Sequence, residues 1–219
     1  MPSGLTPSAS AHSDLPGLIS ARIRDIPDYP QPGVVFKDIT PLLADGDAFA
    51  AVVSAMAEGS RDGEGGLGQE ESGLAQGVGG LGRGVGELGR GVGGLGKIDK
   101  VVGIEARGFI LAAPVACCLR AGFVPVRKQG KLPAETLAES YQLEYGTATV
   151  EVHVDAFQPG DRVLIVDDVL ATGGTAAASV SLVRRSGAEV VAVSVLLELG
   201  FLGGRARLPD VEVRSLLAV

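Results

Sequence analysis

The sequence predicts an α/β domain: a parallel sheet flanked by helices, with a small hood and an exposed hairpin loop. Three observations predict it. Beyond residue 100, short aliphatic runs (Val101-Val102-Gly103-Ile104, Phe123-Val124-Pro125-Val126, Val163-Leu164-Ile165-Val166 and Val190 to Leu197) alternate with helical stretches, the pattern of strands covered on both faces. The third run leads directly into two acids and a threonine-glycine turn, VLIVDDVLATGGT at residues 163–175. Residues 132–154 instead alternate polar and β-branched side chains around Tyr145-Gly146, as an exposed hairpin does.

Taken in order, residues 1–13 read as a disordered N-terminus and residues 14–219 as a single domain. Ser13 or Asp14 caps a helix whose apolar residues Leu15, Leu18, Ile19, Ile23 and Ile26 keep helical spacing until Pro27 stops it. A proline-marked extended segment, PDYPQPGVVFKDITPLL, follows. Asp47 then caps a second helix with Phe49, Val52, Val53 and Met56 on one face. Residues 59–97 interrupt the domain as a flexible Gly-rich insert. Its end, GVGGLGRGVGELGRGVGGLGK, contains G-x-G-x-x-G three times, yet no apolar strand precedes it and each copy leads into another instead of into a helix. Ile98 stands where a phosphate loop ending in Gly-Lys needs a hydroxyl, so the phosphate site is sought elsewhere. After the insert come strand 101–104, the turn Glu105-Ala106-Arg107-Gly108, helix 109–119 with a stop at Gly122, and strand 123–126. The hairpin, strand 163–166, a helix over 174–186 closed by Gly187 and strand 190–197 complete the chain.

Composition narrows the function. A net charge of −7 and a pI near 4.9 argue against nucleic acid or an anionic membrane surface as partner, so any anion site is local. The adjacent Cys117 and Cys118 lie in an apolar stretch and read as buried reduced thiols. His12 and His153 have no metal-ligand spacing, so no protein-built metal site is expected. No run is long enough to span a membrane and the N-terminus lacks signal-peptide character, which predicts a cytoplasmic protein.

The chemistry concentrates in residues 163–175. Four aliphatics deliver Asp167 and Asp168 to the carboxyl edge of the sheet, and Ala171-Thr172-Gly173-Gly174-Thr175 opens a helix. Glycines let backbone close round a phosphate, threonine hydroxyls add donors, and the helix N-terminus adds positive potential. Carboxylates only accept, so they suit sugar hydroxyls or metal-bound water, not the phosphate itself. Acids beside a phosphate cradle point to a ribose phosphate.

With its acid pair and threonine-glycine loop, this stretch resembles the signature of the type I phosphoribosyltransferases. The segments PDYPQPGVVFKDITPLL, GIEARGFILAAPVA and VRKQGKLPAETLAESYQLEYG are similar to the adenine-specific branch of that family. The resemblance spans residues 14–219 apart from the insert. It implies transfer of a phosphoribosyl group from phosphoribosyl pyrophosphate to adenine, giving AMP and pyrophosphate, with Mg2+ carried mainly by the substrate diphosphate. It implies a homodimer in which part of the cluster Arg127, Lys128 and Lys131 serves the neighbouring subunit. Arg107, Arg127 and Lys131 are then the pyrophosphate ligands, and Gln129 stands where some relatives carry a basic residue. Glu144 is the catalytic carboxylate, and main-chain groups of Val35 and Lys37 read the adenine edge. Two alternatives share the fold: a hypoxanthine or xanthine phosphoribosyltransferase, and a non-catalytic regulator that senses phosphoribosyl pyrophosphate. Retention of Arg107, Lys131 and Glu144 together, and the lack of a basic DNA-binding domain, weigh against the regulator.

Overall fold

The computed structural model describes residues 14–58, 95–142 and 146–219. Asp14 accepts a hydrogen bond from the Gly17 amide at 2.9 Å and caps α1 (Leu15–Ser20). The helix is shorter than the apolar spacing to Ile26 predicts. Arg24–Pro27 is instead strand β1, antiparallel to β2 (Val35–Asp38). The ladder satisfies the backbone there, and Pro27 biases Ile26 toward extended geometry. These two strands form a small sheet of their own. A short helix, α2 (Thr40–Ala44), interrupts what reads as extended chain. Asp45, not Asp47, caps α3 (Gly46–Glu58): its Oδ1 accepts from the Ala48 amide at 3.1 Å and its Oδ2 pairs with Arg22 Nε at 2.6 Å.

Leu95 is buried in the core, its carbonyl accepts from Arg162 Nη2 at 2.9 Å, and the Lys97 carbonyl accepts from Arg162 Nε at 2.9 Å. Residues 95–97, which composition assigns to the insert, therefore pack with the folded body. The rest of that insert and residues 1–13 lie outside the described residues.

The main sheet comprises β3 (Lys100–Ile104), β4 (Gly122–Lys128), β5 (Thr136–Gln142), β6 (Thr147–His153), β7 (Arg162–Leu170), β8 (Glu189–Glu198) and β9 (Glu212–Ala218) in the order β5-β6-β4-β3-β7-β8-β9. From β4 to β9 every pair is parallel, and β6 and β5 extend the sheet antiparallel. The hairpin is thus less exposed than its alternation suggests. β6 joins β4 through Arg127↔Glu151 and Lys128↔Val150, and Val150 and Val152 are buried.

Side-chain alternation gives the sheet two cores. Val101, Leu164, Val166 and Leu196 pack with α1, α3 and α4 (Arg107–Leu119) through Ile19, Val52, Met56 and Leu111. Val102, Ile104, Ile165 and Val195 pack with α5 (Gly174–Arg185) through Val180, Leu182 and Val183. Along β7, Leu164, Val166 and Val169 pack with the α4 layer, and Val163, Ile165 and Leu170 with the α5 layer.

Cys117 and Cys118 are free thiols but exposed, not buried. Val115 and Ala116 take the inward arc of α4, which turns the next two positions outward. Among the described residues no helix is long and apolar enough to cross a membrane.

Candidate active site

The acid pair sits near the carboxyl end of β7, inside the strand instead of just beyond it. Both carboxyls lie against the start of α4. Asp167 Oδ1 accepts from the Asp168 amide at 2.9 Å and lies so near Gly108 that a Cβ there would stand 2.7 Å from it. A side chain at position 108 would have to push the Asp167 carboxylate aside. Asp168 Oδ2 lies 2.7 Å from Arg107 Nε, yet it is buried and accepts no directed hydrogen bond, which leaves a lone pair for a further donor. Burial pushes the Asp167 carboxyl well up from its ordinary value, and the neighbouring Asp168 charge adds to the rise. Asp168 rises for the same reason, partly offset by Arg107.

Three groups hold Arg107. Besides Asp168, its Nη1 donates to the Lys37 carbonyl at 3.3 Å, and its guanidinium carbon stands 4.7 Å from the centre of the Phe36 ring. The Lys37 main chain therefore faces Arg107, and Val35, two residues earlier on the same strand, presents its main chain along the same edge. Val35 itself is exposed, and Lys37 Nζ is drawn away to Asp25 at 2.8 Å.

The basic cluster gathers on a residue to which the sequence reading assigned no role. Glu105, directly after β3, pairs with Arg127 Nε at 3.3 Å and with Lys131 Nζ, and accepts the Lys128 amide at 3.1 Å. Arg127 Nη1 also donates to the Lys131 carbonyl at 3.0 Å. Burial alone would raise Glu105, but hydrogen bonds from Lys131 and the Lys128 amide, with the Lys131 and Arg127 charges, bring it below its ordinary value. The available signal was an acid at a strand end beside Arg107. Phe36 was also missed, and its signal was an aromatic between the two residues expected to read the base.

Beyond β7, Ala171 and Thr172 turn the chain into α5. Gly173 has φ +79°, and a Cβ on it would meet the Gly204 carbonyl oxygen at 2.3 Å, so the turn requires glycine twice over. No side chain caps α5, whose first turn begins with Gly174 and Thr175. An uncapped N-terminus beside two carboxylates can take an anion whose attached hydroxyls reach the acids. Arg107, Asp167, Asp168 and residues 171–175 thus share one edge of the sheet, with Val35 and Lys37 opposite Arg107. Arg127 and Lys131 join through Glu105. Glu144 lies outside the described residues. Among the described residues no three His, Cys, Asp or Glu side chains cluster as metal ligands.

The chain matches the phosphoribosyl transferase domain family over residues 89–215. It is 57% identical to the adenine phosphoribosyltransferase of Acidothermus cellulolyticus over 207 residues, 94% of this chain and 98% of that protein. The crystal structure of the Rhodothermus marinus adenine phosphoribosyltransferase aligns with a TM-score of 0.75 at 46% identity, covering 94% of this chain and 99% of that one. The Saccharomyces cerevisiae enzyme, solved with adenine and an imino-altritol bisphosphate, aligns at 0.72 with 30% identity over 94% and 99% of the two chains. With identity this high over nearly its full length, and the acid pair and uncapped helix at the sheet edge, the chain belongs to the adenine phosphoribosyltransferases of the phosphoribosyl transferase family.

Proposed function

We infer that the chain transfers the phosphoribosyl group of phosphoribosyl pyrophosphate to adenine. The bond from the ribose C1 to the pyrophosphate oxygen breaks, a bond to a ring nitrogen of adenine forms, and that nitrogen loses its proton. AMP and pyrophosphate are the products. The observation that carries this reading is the pair Asp167 and Asp168 set beside the uncapped start of α5. Residues 171–175 take the 5′-phosphate, and the two acids take the ribose hydroxyls. Arg107, Arg127 and Lys131 take the pyrophosphate.

Each of these cations rests on a carboxylate, Arg107 on Asp168 and the other two on Glu105. Binding therefore exchanges partners: the diphosphate draws Arg107 away while a ribose hydroxyl donates to the freed Asp168 oxygen. Glu144 accepts the proton from the base or stabilises positive charge on the ribose. Main-chain groups of Val35 and Lys37 match the amine donor and ring acceptor of adenine, a pattern that hypoxanthine reverses. The unpartnered Asp168 oxygen and its neighbour Asp167 suit water of a hard cation, so Mg2+ chelated by the diphosphate fits here. When bound, it neutralises charge on the leaving pyrophosphate. The working form is a cytoplasmic homodimer.

The test is to supply phosphoribosyl pyrophosphate, Mg2+ and each purine in turn. AMP should form from adenine with far higher kcat/KM than IMP from hypoxanthine, and equal or reversed values would overturn the base assignment. Glu144→Gln should lower turnover by about 10²-fold, and near-normal turnover would remove Glu144 from the chemistry.

A further inference from the structure

Tyr141 reaches from β5 across to the start of α5. The Thr175 hydroxyl donates to the Tyr141 phenol oxygen at 2.9 Å. The ring is seated directly on the helix start, because a Cβ on Gly174 would stand 2.9 Å from Tyr141 Cδ2. At the far end of the same helix, Arg185 donates to the Ala138 carbonyl at 2.8 Å and to Glu139 at 2.6 Å, so β5 is pinned along α5 at both ends. The position of the phenol over Thr175 is thus fixed by packing and by polar contacts on the same strand.

We propose that Tyr141 is a positioning residue for the 5′-phosphate, acting through Thr175; this rests on the assignment of residues 171–175 as the phosphate loop. A threonine hydroxyl has one proton and a tyrosine hydroxyl both donates and accepts. The Thr175 proton is directed at Tyr141. A phosphate anion is the stronger acceptor, so on binding the Thr175 proton turns to a phosphate oxygen. Tyr141 then rotates its own O–H to donate to the vacated Thr175 oxygen. The result is a chain from Tyr141 O–H to Thr175 Oγ1–H to phosphate, in which each bond polarises the next and the threonine rotamer is held toward the ligand. No proton changes owner. Tyr141 thus contributes to holding the phosphoribosyl group, and not to the bond changes at the ribose.

Tyr141→Phe retains the ring over Gly174 and deletes only the hydroxyl. Losing one neutral hydrogen bond from the relay should raise KM for phosphoribosyl pyrophosphate and Kd for AMP about 3- to 10-fold. Turnover should stay within about twofold and KM for adenine should not move, whereas a general loosening of the hairpin would lower kcat. Repeating the measurement in Thr175→Val, which keeps the shape and removes the intermediate hydroxyl, should abolish the Tyr141→Phe effect, because the two act as one unit. Unchanged KM for phosphoribosyl pyrophosphate in Tyr141→Phe overturns the relay, as does an equal penalty in both backgrounds or a loss confined to kcat. A parent protein that forms no AMP overturns the underlying assignment instead.

Discussion

Glu105 and the Asp167-Asp168 pair lie at the same edge of the sheet on neighbouring parallel strands, or just beyond them, yet their carboxyls are shifted in opposite directions. Burial raises every carboxylate, and what differs is the donors that answer it. Glu105 meets Lys131, Arg127 and a main-chain N–H, which together outweigh its desolvation. Among the described residues, Asp167 has one amide donor and a like charge beside it, and Asp168 has Arg107 alone among cations. The basic half of the site is therefore satisfied by its own partners. The acidic half is short of donors, and it is there that a sugar's hydroxyls gain most.

The largest expected effect breaks the acidic half. Asp168→Ala removes the carboxylate with the free acceptor position, and losing a charge-assisted hydrogen bond costs about 1.5–3 kcal/mol. AMP affinity should fall about 10- to 150-fold with the fold retained. Titration of AMP into the folded variant checks this, and unchanged affinity would remove the ribose role from Asp168.

A smaller pair of effects sharpens the comparison through their signs. Glu105 is lowered in the folded protein, so its contribution to stability is present above its ordinary 4.5 and is lost as pH falls through the folded value. Asp167 is raised, so its ionisation counts against the fold: the cost is absent below its ordinary 3.8 and complete only above its folded value. At pH 7, Glu105→Gln should therefore lower Tm. Its carboxyl is covered by side chains but close to the surface, which limits the loss to about 1 kcal/mol. Asp167→Asn, which keeps the oxygen that accepts the Asp168 amide, should raise Tm at pH 7 while weakening AMP binding. Both differences from the parent should be smaller at pH 3 than at pH 7. Melting curves at the two pH values decide it, and shifts of the same sign at pH 7 would refute the contrast.

How far this site could be read from sequence follows from which contacts are local. β7, its acids and the loop to α5 are contiguous, and an aliphatic run ending in Asp-Asp and Thr-Gly carries its own meaning. Helix α5 and strand β8 likewise fall within a residue or two of expectation. β1 was hidden, because Ile23 and Ile26 continue a helical spacing and only pairing with Val35–Asp38 overrides it. The hairpin looked exposed, because its cover comes from β4 and α5 and not from its own residues. β9 and the 3-10 turns before it went unassigned, although Glu212–Ala218 completes the parallel set. Glu105 went unread for the same reason: its cations lie more than twenty positions away and meet it only once β3 and β4 pair.

The smallest expected effect concerns the Gly-rich segment, and here the structure moves the cut. The residues of both charge centres, Glu105, Arg107, Arg127, Lys131, Asp167 and Asp168, all follow Leu95 in the chain. Changing the length of a glycine-rich connection alters closure entropy by only on the order of 1 kcal/mol. Replacing residues 59–94 with a short Gly-Ser linker should leave adenine turnover, AMP affinity and mass per oligomer near the parent's. The opposed Tm shifts of Glu105→Gln and Asp167→Asn should also persist in that background. Carrying the replacement on through Gly96 is a different experiment, because it removes the buried Leu95 side chain from the core that holds Ile98, Val101 and Leu164. Deleting a buried leucine costs about 2–5 kcal/mol, so Tm should drop clearly in the longer replacement and hardly at all in the shorter. Loss of activity or of the oligomer in the 59–94 replacement would mean that the repeats serve the enzyme. Equal Tm in the two would mean that Leu95 contributes nothing to the core it lies in.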